Sequence, residues 1–164
     1  MEIERKFTIK TLPVNLEQYP FHLIEQAYLN TDPVVRIRKE DDSYYLTYKG
    51  KGLLAREEYN LPLNEQSYYH LREKADGNII SKRRYLVPVE NPTFASDFQM
   101  TDDQISLTIE LDIFEAPFSG LIIAEVEFPS RKMAEAFQPV DWFGADVTND
   151  PAYHNSNLSR KTFS

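Results

Sequence analysis

Glu2-Ile3-Glu4-Arg5-Lys6-Phe7 opens the chain with charge at every second residue. Side chains on a β-strand alternate faces with period two, so Glu2, Glu4 and Lys6 share one face and Ile3, Arg5 and Phe7 the other. The same spacing recurs downstream. Arg36 and Arg38 bracket Ile37, and Lys82 and Arg84 sit two apart before Tyr85-Leu86-Val87. Glu110 and Asp112 flank Leu111, and Glu125 and Glu127 flank Val126. One such strand is an ordinary half-solvated strand. A series of them, most carrying a pair of one sign, points to a shared polar face where bases and acids meet. That suits a site for a polyanion and its metal ions.

The chain has 164 residues, which fits a single domain spanning 1–164. Apolar residues make up 41%, enough for a core, and the 10 Tyr and 10 Phe favour strands. The 26 acids outnumber the 18 Lys and Arg, giving a net charge of −8, which argues against general nucleic-acid binding. A local basic pocket remains compatible with that balance. No cysteine is present, so disulfides and thiolate metal sites are excluded. No run approaches the ~18 apolar residues of a membrane span. The acidic start leads directly into a strand pattern without a signal peptide, and a cytoplasmic protein is expected.

The pattern predicts strands over 2–9, 24–29, 34–39, 44–49, 55–61, 79–87, 106–114 and 121–128. The segment 12–19 reads as loop or short helix around Pro13, and 91–104 as loop. Asn64 can cap a helix over 65–75 ended by Asp76-Gly77, and Ser130 one near 131–137. The tail from Asp141 reads as irregular. About eight strands joined by hairpin-like turns imply an antiparallel sheet in a mainly β, α+β protein. Unpaired charge cannot be buried in an apolar core without a cost of several kcal/mol or more. A sheet closed into an eight-stranded barrel satisfies both faces, with the charges in a lumen and the apolar backs under a few short helices.

Arg36, Arg38, Lys49, Lys82 and Arg84 come from three strands and can converge, with Lys6 joining them. Guanidinium forks suit phosphate oxygens bidentately, and Lys supplies a point charge. The carboxylates Glu2, Glu4, Glu110, Asp112, Glu125 and Glu127 offer the oxygen ligands that hard divalent ions prefer. Six carboxylates in one lumen repel one another, so bases, metals or raised pKa values must compensate. Other signals are weak. Lys49-Gly50-Lys51-Gly52 lacks the phosphate-loop pattern, His22, His70 and His154 show no zinc spacing, and no G-x-S-x-G elbow occurs. Trp142 reads as an anchor for the C-terminal segment.

Glu2-Ile3-Glu4-Arg5-Lys6 resembles the N-terminal ExExK signature of the CYTH superfamily, the triphosphate tunnel metalloenzymes. The resemblance runs in order along the chain. It continues through Gln26-Ala27-Tyr28-Leu29, Val35-Arg36-Ile37-Arg38, Leu46-Thr47-Tyr48-Lys49-Gly50, Arg56-Glu57-Glu58-Tyr59 and Lys82-Arg83-Arg84-Tyr85. The acidic strands follow, and Trp142 to Thr148 and Tyr153-His154-Asn155 resemble the closing segment. The resemblance implies an eight-stranded antiparallel tunnel binding triphosphate with Mg²⁺ or Mn²⁺. Lys6, Arg36, Arg38, Lys49, Lys82 and Arg84 would hold phosphates. Glu2, Glu4, Glu125 and Glu127 would hold metal, with Glu110 and Asp112 as ligands or support. Arg56 would line the lumen with Glu58, as a supporting pair beside the substrate. Two positions depart from the family pattern, since Asn60 and Asp146 stand where Glu is common.

The expected activity is metal-dependent hydrolysis of a short linear triphosphate, foremost inorganic tripolyphosphate, with Glu4, Lys6 and Glu127 central to catalysis. Class IV adenylyl cyclase and thiamine triphosphatase are the enzyme alternatives, and a polyphosphate- or nucleotide-binding module the non-enzyme one. A small triphosphate is the expected partner, with no nucleic acid or membrane, in a monomer or homodimer.

Overall fold

The computed structural model describes residues 1–100 and 105–163. Part of the loop expected over 91–104 therefore lies outside the described residues. The strands are β1 (Glu2–Ile9), β2 (Phe21–Thr31), β3 (Val34–Glu40), β4 (Ser43–Lys49), β5 (Ala55–Arg56), β6 (Glu58–Leu63), β7 (Asp76–Pro88), β8 (Thr108–Phe114), β9 (Ile122–Glu127) and β10 (Phe143–Asp146). Three short helices accompany them: α1 (Glu65–Arg72), α2 (Arg131–Ala136) and α3 (Asn155–Leu158). All the pairings are antiparallel, in the order β10-β1-β9-β8-β7-β2-β3-β4-β6.

Closure comes from a change of partner. The single strand expected over 55–61 is two strands separated by Glu57. β6 pairs with β4, whereas β5 pairs with β1 through Glu2↔Arg56 and Ile3↔Ala55. Counting β5 and β6 as one interrupted stave, the ring β1-β9-β8-β7-β2-β3-β4-β6/β5 has the eight staves read from the sequence. β10 is an addition. It pairs with β1 beyond β5, at Phe7↔Asp146 and Ile9↔Phe143.

The period-two pattern sets the two faces. The outward face of β1, β7, β8 and β9 carries Phe7, Tyr85, Leu111 and Val126, packed beneath α2 with Met133, Phe137 and Phe143. Ser130 caps α2 by accepting from the Met133 amide at 3.1 Å. The outward face of β2 and β3 places Ala27 and Ile37 against Tyr68 of α1. Asn64 caps that helix through the Ser67 amide at 2.7 Å. α1 ends at Arg72, short of the expected 75, because β7 already begins at Asp76.

The lumen is not polar throughout, which the sequence pattern did not reveal. At one end the inward positions are apolar: Tyr28, Val34, Ile80, Phe114 and Ile123 form a second core with Leu158 of α3. The tail expected to be irregular thus becomes a plug. Its attachment is specific, since the Asn78 amide donates to Ser159 O at 2.6 Å and the Asn78 side chain to Lys161 O at 2.7 Å. Gly77, at φ +77°, is required there because a Cβ would lie 2.1 Å from Ser159 O.

Phe7 is fully buried and stacks on Phe143 at 4.6 Å between ring centroids. Phe7→Ala is expected to cost about 3–5 kcal/mol of stability by denaturant unfolding, since the rings beside it cannot collapse into the space. A loss under about 1 kcal/mol would contradict this packing.

Candidate active site

Above the apolar floor, the inward positions switch to charge and enclose a cavity of about 630 Å³. On β1 and β9 the register aligns Glu4 with Glu127 and Lys6 with Glu125. On β7 and β8 it aligns Arg84 with Asp112. Arg36 and Arg38 project from β3 beside Thr47 and Tyr45 of β4, and Lys49 faces Glu58 of β6. Glu2, Arg56, Asn60, Lys82 and Glu110 complete the expected groups on the wall. Asp112 is the exception. It has no exposed surface and does not line the cavity.

Asp112 instead lies beneath the lining side chains, on the same inward face of β8 as Glu110 and Phe114. Arg84 Nε and Nη2 donate to its two oxygens at 2.7 and 2.9 Å, and Lys82 Nζ lies 2.7 Å away. Arg84 Nη1 also donates to Glu110 at 2.9 Å, and Nη2 approaches Glu125 at 3.5 Å. Lys6 lies 3.5 Å from Glu125 and donates to Tyr153 O at 3.3 Å. Lys49 donates to Glu2 at 2.9 Å. These ion pairs account for one set of charges.

A second set has no ionic partner among the described residues. Arg38 Nε and Nη2 donate to Gln26 Oε1 at 2.9 and 2.6 Å, and Nη1 to Tyr45 at 3.3 Å. All of these acceptors are neutral. Arg36 donates only to Thr47, at 3.1 Å, and its buried Nε has no partner. Opposite them, Glu4 and Glu127 meet across β1 and β9 without a cation.

The pKa values follow this division. Glu4 is pushed up to about 8, first by burial and then by Glu125 and Glu2. Burial also raises Glu127, with Glu2 and Glu110 adding to it. Burial opposes the charge of Glu125, yet Lys6 and Arg84 hold it well below the usual carboxylate range. Lys82 is pushed down to about 7 by burial and by Arg84 and Arg38, against the pull of Asp112. Burial and then Arg38 lower Arg36, whose guanidinium still stays charged.

The C-terminal segment brings in groups that the sequence reading did not assign to the site. Thr148, His154 and Asn155 line the cavity. The His154 ring rests on Thr148 O at 3.3 Å. Gln26 and Tyr28 belong to a strand quoted for the resemblance but carried no assigned role. Asn60, lacking the charge of a Glu, accepts from Thr47 at 2.5 Å and donates to Glu58 at 3.2 Å. Asp146 faces outward and binds Arg5 at 2.9 Å.

A family model described as the CYTH domain matches residues 1–146. The chain belongs to the CYTH family. It is 35% identical over 162 residues to the inorganic triphosphatase of Nitrosomonas europaea, covering 96% of both. It is 33% identical over 172 residues to that of Acetivibrio thermocellus, covering 99% of this chain and 95% of the relative. A crystal structure of an inorganic triphosphatase superposes with a TM-score of 0.69 at 30% identity, covering 99% of this chain and 96% of that one. A Hippeastrum protein described as a candidate adenylyl cyclase with a dominant triphosphatase activity shares the fold alone, at TM-score 0.53 and 16% identity over 79% of this chain and 80% of that one.

No group of three His, Asp or Glu among the described residues forms a ready-made metal cage. The donor set nevertheless fits a hard divalent ion of the Mg²⁺ kind, which takes one or two carboxylates plus phosphate and water. Glu4 and Glu127 are opposed carboxylates without an ion pair, and like charges directly opposed on paired strands are destabilising.

Because the folded state favours neutral Glu4, its ionisation costs stability. That cost is absent below the ordinary carboxylate value of 4.5 and complete above about 8. In EDTA, Glu4→Gln is expected to melt above the wild type at pH 9, with the gap closing toward pH 4.5. A gap independent of pH would contradict the assignment.

Proposed function

We propose that this protein is a metal-dependent hydrolase of inorganic tripolyphosphate. One observation carries the reading. The same enclosed cavity holds cations without counter-anions, Arg36 and Arg38, and carboxylates without counter-cations, Glu4 and Glu127. A metal–phosphate complex supplies both missing charges at once. The named activity of the relatives at 33–35% identity supports the same substrate. Few apolar groups line the cavity, which favours a short inorganic chain over ATP.

In this reading Arg36, Arg38, Lys82 and Arg84 hold the phosphates from one side, with Lys6 and Lys49 reaching in from the others. Arg36 lines the cavity, and its buried Nε–H has no protein partner among the described residues. Asp112 supports rather than ligates, since both its oxygens are engaged. Glu4 and Glu127 would hold Mg²⁺ or Mn²⁺, with Glu2 and Glu125 beside them. When bound, such an ion stabilises charge on the transferring phosphoryl group and acidifies a coordinated water. The side chains contribute mainly alignment and fixed positive charge, which suits phosphoryl transfer, where little covalent chemistry falls to the protein. Arg56, which donates to Gly50 O at 3.0 Å, lines the cavity with Glu58. Cytoplasmic location accords with a soluble phosphate substrate, and Mg²⁺ and Mn²⁺ are both suitable ions.

Glu4→Gln and Glu127→Gln are each expected to lower kcat on tripolyphosphate by about 100-fold or more at saturating metal, by analogy with loss of a transition-state charge stabiliser. Lys6→Ala and Arg38→Ala are expected to raise KM. Steady-state phosphate release measures all four, and near-normal kinetics in every variant would sink the assignment.

A further inference from the structure

Two uncharged residues occupy an unusual place among the lumen charges. Gln26 is fully buried on β2, and Asn155 is half-buried at the start of α3. Gln26 Nε2 donates to Asn155 Oδ1 at 3.0 Å. Gln26 Oε1 takes the fork from Arg38, and Asn155 Oδ1 also takes Lys82 Nζ at 3.2 Å. Arg and Lys are donors only, so each end of this chain demands an oxygen. Arg38 fixes the Gln26 oxygen toward itself, which turns the Gln26 NH₂ toward Asn155. The Asn155 oxygen must then face both Gln26 and Lys82. The orientation of each amide is set by its neighbours.

We propose that Gln26 and Asn155 form a neutral amide relay that orients Arg38 and Lys82 toward the substrate phosphates, making both amides positioning residues for the hydrolysis proposed above. The reason for amides is charge. A carboxylate at either place would accept the same hydrogen bonds from Arg38 or Lys82 but neutralise a cation that the phosphates need. Asp112 already compensates Lys82 from beneath the lining side chains. A second anion on the cavity side would complete that compensation and leave less attraction for a polyanion. The relay also makes the C-terminal segment part of the site, since Asn155 precedes the Leu158 plug by less than one helical turn. Docking of the plug and orientation of Lys82 are therefore one event.

This inference rests on the tripolyphosphate reading, so the test separates the two. Tripolyphosphate binding is measured by calorimetry in EDTA, where no turnover occurs, for wild type, Asn155→Asp, Asn155→Ala and Gln26→Glu. Melting curves and Mg²⁺-supported kinetics accompany it. Wild type is expected to bind and to hydrolyse. Asn155→Asp keeps the acceptor, melts at or above the wild type, and is expected to raise Kd and KM by about tenfold or more, with a smaller fall in kcat. Asn155→Ala removes the acceptor without adding charge and is expected to weaken binding less, with a lower melting temperature. Gln26→Glu is expected to behave like Asn155→Asp. The half-buried Asn155 variants decide the question if Gln26→Glu does not fold. Asn155→Asp binding within about twofold of wild type, or tighter than Asn155→Ala, would overturn the relay. Wild type that neither binds nor hydrolyses tripolyphosphate would overturn the functional reading instead.

Discussion

A carboxylate with no exposed surface holds Lys82 and Arg84 together in the wall of this barrel. Much else depends on that pairing. Burying two cations two residues apart on one strand face costs desolvation and mutual repulsion, which an anion fixed beside them offsets. Asp112 supplies it from the neighbouring strand, and the β7–β8 register brings Arg84 directly opposite. With both oxygens engaged there, Asp112 supports the cations rather than facing a ligand. Removing one partner of such a buried group typically costs about 3–5 kcal/mol, because the remaining charges are left uncompensated.

With that anchor in place, the lumen separates its charges by partner. Beneath them are apolar residues closed by Leu158. One set is compensated, around Asp112 and Glu125. The other is not: Arg36 and Arg38 have only neutral acceptors, and Glu4 and Glu127 face one another. The raised pKa of Glu4 and the lowered one of Glu125 express this split, although both carboxylates face the same cavity. Lys6 and Arg84 reach Glu125, whereas neither is an ionic partner of Glu4. A bound metal–phosphate complex matches the uncompensated set without disturbing the compensated one.

The alternation that makes β1 and β3 strands also reveals which side chains share the lumen, so the ring and most of its charged residues were legible in the sequence. Depth was not. Glu110 and Asp112 have the same spacing and the same acidic character, yet one lines the cavity and the other lies beneath its lining side chains. Only the strand register distinguishes them. The division at Glu57 was hidden for a similar reason, because a change of pairing partner leaves no mark in hydrophobic period. β10 and α3 are four residues each, too short for a periodic signal. They form because Phe143 finds Phe7 and Leu158 finds the open end of the lumen. Gln26 and Asn155 escaped notice as site residues because an amide becomes informative only when its neighbours are known.

The most direct test of the account is phosphate release by the wild-type protein from tripolyphosphate, ATP and thiamine triphosphate, each with Mg²⁺, with Mn²⁺ and with EDTA. The account expects rapid release from tripolyphosphate with at least one of the two metals, little from the organic triphosphates, and none in EDTA. Absence of release from tripolyphosphate with either metal, or release that persists in EDTA, would contradict it.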